Sequence, residues 1–159
     1  MTEALSSPML CLGIEGTAHS AGVGLVDGDG RVLANLMDMY RPEEGGIHPR
    51  EAADHHVEVI PGLIARALEE AGAAPGDVGL VAFSQGPGLG PCLRTAATAA
   101  RTFAIVREVP ILGVNHCVAH LEAGRLTGAR DPILLYTSGG NTQVIAYVDG
   151  RYRGMGETL

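Results

Sequence analysis

The chain of 159 residues predicts a duplicated α/β architecture, and three observations carry that reading. Short apolar runs of strand length alternate with segments whose apolar residues recur at helical intervals. The first 40 residues read strand, turn, strand, turn, strand, and the same pattern restarts after residue 132. The 23 glycines cluster between these segments, where they mark tight turns and places of close backbone approach.

Residues 9–15, MLCLGIE, form a continuous apolar run, as in a strand covered on both faces. EGTAHS then turns the chain at Gly16. AGVGLVD (21–27) is the second strand, Asp27-Gly28-Asp29-Gly30 is a hairpin turn, and RVLANLMDMY (31–40) is the third strand of an antiparallel meander. A loop over 41–48 leads to Pro49, a favoured first helical residue. The helix that follows is expected to kink or break at Pro61 and to end at Gly72. DVGLVAFS (77–84) is a strand, QGPGLGP (85–91) a loop, and CLRTAATAARTFAIVRE (92–108) an Ala-rich helix. ILGV (111–114) is a short strand running straight into a helix over 115–128. After Asp131-Pro132, ILLYTS, TQVIAYV and RYRGMGE, separated by Gly139-Gly140-Asn141 and Asp149-Gly150, make the second meander. A first lobe over 9–130 and the start of a second over 133–159 are expected. Three strands with one apolar face do not complete a domain, so the second lobe reads as truncated.

The apolar fraction of 46% is enough for a core, and only 18% of residues are charged. All 11 basic residues are Arg. Without Lys there is neither a Walker A phosphate loop nor a Schiff-base amine. A net charge of −7 argues against autonomous nucleic-acid binding, so RNA must be met through a local Arg patch, another subunit or a further segment. Cys11, Cys92 and Cys117 are odd in number and form no CxxC pair, which points to reduced thiols and a cytoplasmic setting. No apolar run is long enough to span a membrane, and MTEALSSP lacks the core of a secretory signal.

Among residues able to carry chemistry, His116 and His120 stand one helical turn apart on one face. Two imidazoles there either chelate one metal ion or are polar residues of an amphipathic helix. A zincin site is excluded, because Cys117 occupies the position where that motif needs its Glu. Tyr136-Thr137-Ser138-Gly139-Gly140-Asn141 runs from a strand into a turn, and reads either as an anion-facing nest or as an ordinary hairpin. Glu15-Gly16-Thr17 echoes it in the first copy. Ser84–Pro91 is a third candidate anion loop, or a connector that lets the next helix pack closely. His48, His55 and His56 read as solvated or helix-packing residues. Arg94 and Arg101 face either phosphate or solvent.

EGTAHS, GGIHPREAADHH, FSQGPGLGPCLR, GVNHCVAHLEAGR, LYTSGGNTQVIAY and GRYRGMGETL together resemble one family, in order and at its spacing, from about residue 9 to the last. It is the archaeal and eukaryotic tRNA threonylcarbamoyladenosine transferase family, the catalytic subunit of the KEOPS complex, once labelled O-sialoglycoprotein endopeptidase. Asn141 after Ser-Gly-Gly is closer to the archaeal branch than to the bacterial one, which places His there. The resemblance implies an actin-like, Hsp70-like fold of two ribonuclease-H-like lobes. It implies that His116 and His120 ligate a metal, with Tyr136 supplied from the other lobe. A phenolate ligand suits iron, with zinc or magnesium as alternatives. Tyr136, Thr137, Ser138, Gly139 and Gly140 would contact threonylcarbamoyl-adenylate. The implied reaction moves the threonylcarbamoyl group to N6 of adenosine 37 in tRNAs reading codons that begin with A. It needs no nucleophilic side chain, and none is nominated. Implied partners are tRNA, met through the complex, an atypical kinase subunit and the other KEOPS subunits. The family continues past GETL to a late Asp that completes the metal site, so the segment alone is expected to be inactive. A generic actin-class ATPase, a metallopeptidase and a binding-only paralogue are the rival readings.

Overall fold

Leu10, Leu12 and Ile14 are buried at every second position of β1 (Leu10–Glu15), the strand around which a five-stranded sheet is built. The computed structural model describes residues 9–158. β2 (Ser20–Val26) and β3 (Val32–Met39) follow β1 antiparallel, with Leu12 opposite Leu25 and Val23 opposite Leu36. The Asp27 carboxylate closes the β2–β3 connection by accepting the N–H groups of Asp29 and Arg31 at 3.0 and 2.9 Å. α1 (Pro49–Glu70) crosses over and returns the chain as β4 (Val78–Gly86), parallel to β1. α2 (Gly90–Arg107) and β5 (Ile111–Asn115) complete the order β3-β2-β1-β4-β5.

Ile60, Leu63, Ala67 and Leu68 of α1 share the core with Ala96, Ala100 and Ala104 of α2. The three alanines recur every fourth residue, so α2 presents a shallow face that comes close to its neighbours. α1 is not interrupted at Pro61. Pro61, and Val57 whose carbonyl loses its helical donor to the proline, are both exposed, so the proline sits on the solvent side of the helix, where its cost is least. No helix of the described residues is long and apolar enough to cross a membrane.

The second meander is present as expected. β6 (Ile133–Thr137), β7 (Thr142–Val148) and β8 (Arg151–Thr158) pair antiparallel in that order. It is preceded by α3 (His116–Ala123), which tightens into a 3-10 turn over Gly124–Thr127 rather than continuing as an α-helix to 128. Cys117 and Leu121 of α3 pack with Ile145, Leu134 and Tyr136 of the new sheet. The chain therefore divides into compact units at Val114/Asn115, whereas the sequence reading places its lobe boundary between 130 and 133. Gly128 and Pro132 do punctuate the chain, but the apolar face of α3 is filled by β6 and β7. Charge divides unevenly between the units. Residues 1–114 carry seven Arg against fourteen Asp and Glu, and residues 115–159 carry four of each.

Candidate functional site

The Asn115 side chain caps α3 by accepting the N–H of Cys117 at 2.9 Å and of Val118 at 3.2 Å. This fixes the first turn of the helix, from which His116 projects, with His120 one turn further on. Their Nε2 atoms stand 3.1 Å apart, and the rings meet edge to face with centroids 4.4 Å apart. Strand alternation in β6 turns Tyr136 to the same side as Leu134, toward α3. The Tyr136 ring centre lies 5.8 Å from that of His116 and 5.7 Å from that of His120. The structure thus brings together the three residues singled out as metal ligands. All three lie within residues 115–159, so Tyr136 shares a compact unit with the histidines instead of coming from a separate lobe.

The spacing suits two nitrogens that share one ion at about 2.0–2.1 Å each. It equally suits a hydrogen bond between the imidazoles when one Nε2 is protonated. No third His, Cys, Asp or Glu joins them among the described residues. The donor set is therefore two borderline nitrogens and a hard phenol oxygen, which fits a first-row transition ion such as iron. Cys117, between the two histidines in sequence, is buried, and burial pushes its thiol pKa up. That keeps it a packing residue rather than a nucleophile.

Tyr136 leads directly into the turn over Ser138–Asn141. The Ser138 N–H and hydroxyl both donate to the Asn141 carbonyl, at 3.0 and 3.1 Å. Gly139 has φ +85, a conformation that favours glycine. Thr137, Ser138, Gly139 and Gly140 are exposed. The Asn141 and Gln143 side-chain amides donate to one oxygen of Glu157, at 2.6 and 2.9 Å. Gln143 first, then Asn141, holds the Glu157 carboxyl below the usual carboxylate range. Sequence reasoning missed Glu157. A regular hairpin closed at Asp149-Gly150 would set Gln143 opposite Gly156, and it is a register shift between Val144 and Ile145 that brings Glu157 opposite Gln143.

In the first unit, the Glu15 carboxylate accepts the Thr17 N–H at 2.8 Å and also the Thr17 hydroxyl. Ser84 Oγ accepts the Gly16 N–H at 3.1 Å, and the Leu89 N–H donates to the Thr17 carbonyl at 2.6 Å. The loop over 84–91 is thus packed onto the Glu15–Thr17 turn, which matches the connector reading of that loop. His56 is wholly buried, and its Cδ2 would stand 3.0 Å from a Cβ at Gly16. Burial pushes the His56 pKa down against the opposing pull of the Glu15 carboxylate. His55 Nε2 faces Asp38 Oδ1 at 3.1 Å. Among the described residues, no metal set of three His, Cys, Asp or Glu forms around His48, His55 or His56. Arg94 and Arg101 lie exposed on α2.

The fold defines the class, a mixed α/β protein of the actin-like ATPase fold. It is similar to YeaZ from Pseudomonas aeruginosa, with a TM-score of 0.65 at 21% identity, covering 94% of this chain and 66% of that one. It is also similar to the ethanolamine utilization protein EutJ from Carboxydothermus hydrogenoformans, with a TM-score of 0.60 at 16% identity, covering 98% and 52%. The family model for TsaD, tRNA N6-adenosine threonylcarbamoyltransferase, matches residues 31–159, and the chain belongs to that family. A probable bifunctional tRNA threonylcarbamoyladenosine biosynthesis protein of Methanothermobacter thermautotrophicus is 64% identical over 152 residues, 95% of this chain and 28% of that protein. A tRNA N6-adenosine threonylcarbamoyltransferase of Thermococcus kodakarensis is 58% identical over 151 residues, 95% of this chain and 46% of that protein. The chain spans less than half the length of these relatives.

Proposed function

We propose that this chain carries the metal-binding and adenylate-binding segment of an enzyme that transfers the threonylcarbamoyl group from threonylcarbamoyl-AMP to N6 of adenosine 37 in tRNA. The observation that carries the reading is the convergence of His116, His120 and Tyr136 beside the turn that begins at Tyr136. His116 Nε2, His120 Nε2 and the Tyr136 phenolate would hold one ion, iron by donor preference, with zinc or magnesium as alternatives. When bound, the ion supplies Lewis-acid neutralisation of the adenylate's negative charge. Tyr136, Thr137, Ser138, Gly139 and Gly140 orient the adenylate. The exposed turn offers N–H groups to its oxygens as charge develops on them. The N6 amine attacks the carbamoyl carbonyl, a C–N bond forms, the C–O bond to phosphate breaks, and AMP leaves as the amine loses a proton. No side-chain nucleophile enters that balance.

The reading places the protein in the cytoplasm, within a KEOPS-type complex with an atypical kinase subunit. Companion subunits supply most of the grip on tRNA, which suits a chain of net charge −7. By itself, the 159-residue segment is expected to transfer no threonylcarbamoyl group.

Metal analysis of single variants in the intact protein tests the assignment, with circular dichroism as the fold control. His116→Ala and His120→Ala should each lose the ion and abolish transfer while keeping the helix, which tolerates Ala well. Tyr136→Phe removes only the phenolic oxygen and should weaken metal retention with little change in packing. His55→Ala should leave metal content unchanged. Full metal content in both His116→Ala and His120→Ala would remove the basis of the assignment.

A further inference from the structure

We propose that Glu157 is a positioning residue whose carboxylate clips the Ser138–Asn141 turn to β8 and so sets the shape of the segment that meets the adenylate. The inference rests on the adenylate assignment made above. Glu157 Oε1 receives the Asn141 Nδ2 and the Gln143 Nε2, at 2.6 and 2.9 Å. An ionised carboxylate only accepts, so it dictates which way both amides face. The Asn141 Oδ1 is thereby turned into a solvent-free position where it has no hydrogen-bond partner. That orientation costs the amide a bond and is held by the hydrogen bond that its amino group donates on the other side.

The backbone of the same residue anchors the turn. The Asn141 carbonyl takes both the N–H and the hydroxyl of Ser138. A continuous path therefore runs from Glu157 through Asn141 to Ser138. Nothing apolar supplements it, because Ser138, Gly139 and Gly140 are exposed. Two consecutive glycines also leave the backbone there with wide freedom unless something polar restrains it. Gln143, opposite Glu157 in the β7–β8 ladder, keeps the carboxylate aimed along β7 toward the turn.

A positional role needs only the acceptor oxygen, whereas a role in charge needs the carboxylate. Glu157→Ala and Glu157→Gln separate the two, because a Gln carbonyl oxygen can still accept both amides. Two readouts are made on the intact protein: amide hydrogen exchange across 136–143, and calorimetric affinity for threonylcarbamoyl-adenylate with AMP as a second probe. Glu157→Ala should speed exchange at Ser138 and weaken adenylate binding, each about tenfold, the scale of one hydrogen bond. Metal content and the thermal midpoint should stay as in wild type. Glu157→Gln should restore most of both losses. Asn141→Ser cuts the path from its other end and should reproduce the Glu157→Ala result, which guards against a folding defect peculiar to one variant. Unchanged Ser138 exchange in Glu157→Ala overturns the clip, whatever the ligand result. A Glu157→Gln protein as impaired as Glu157→Ala overturns it too, because charge would then be the active property. If the wild-type protein binds neither adenylate, the ligand assignment falls, and exchange alone decides the clip.

Discussion

His56 is buried with neither ring nitrogen in good hydrogen-bond geometry, and burial pushes its pKa below the ordinary 6.5. Glu15, close by, pulls the other way, and neighbouring His55 reinforces the depression. The folded state therefore holds the imidazole neutral, while the unfolded chain takes up a proton near the ordinary value. The sign follows: this contribution to stability is full above about pH 6.5 and is lost as pH falls through and below it. The urea midpoint should fall as pH is lowered from 7.5 to 5.5, and the fall should be shallower in His56→Leu. Equal slopes would show that His56 is not the titrating group. The depressed Glu157 carboxyl acts in a lower window. The extra strength that ionisation gives its hydrogen bonds is full above the ordinary value of 4.5 and is lost as pH falls through the lower folded value. Exchange at Ser138 should keep its normal pH dependence through that acid range, because the protonated carboxyl, like Gln, still offers an acceptor oxygen to both amides.

Apart from α3, read over 115–128 and found over 116–123, individual elements were legible in the sequence to within a residue or two. TQVIAYV is β7 to the residue, and DVGLVAFS lies one residue ahead of a β4 that runs two further. Period-two apolar runs bounded by Gly, Pro or Asp-Gly were enough, because each such signal is local. What local signals could not supply was the partner of α3, which depends on where Leu134 and Ile145 come to rest. Nor could they say whether the QGPGLGP loop binds or packs. The structure answers the second point with a distance, since a Cβ at Gly88 would stand 2.5 Å from the Thr17 carbonyl oxygen. Gly88→Ala should therefore cost about 1–3 kcal/mol of stability through overpacking. Gly46→Ala, with nothing within 4 Å of the new Cβ, should change stability little by comparison in the same urea titration. Asn115→Ala removes the α3 cap and should cost about 1 kcal/mol. It should also lower metal retention, because the cap orients the turn that carries His116. Normal metal content in that variant would show that the helix start is held by packing alone.

At the scale of the whole molecule, the two meanders were legible because both copies open with the same punctuation. The trio of His116, His120 and Tyr136 was legible only in part. Helical spacing pairs the two histidines, but Tyr136 was reached through resemblance rather than through any spacing rule. Glu157 stayed hidden because its partners lie across a hairpin rather than along a helix. Net charge predicts weak tRNA binding by the 159-residue chain, lost steeply with added salt. Tight binding at high salt, measured by filter retention, would contradict this. The uneven division of charge goes further than a weak affinity. The net negative charge lies within residues 1–114, so repulsion of a polyanion such as RNA comes from that stretch of the chain. Residues 115–159, with His116, His120 and Tyr136, carry four Arg against four Asp and Glu, so an approaching polyanion meets no net repulsion from that stretch. Lowering the ionic strength lengthens the reach of that repulsion, so salt screens the acidic stretch while leaving the neutral one little changed.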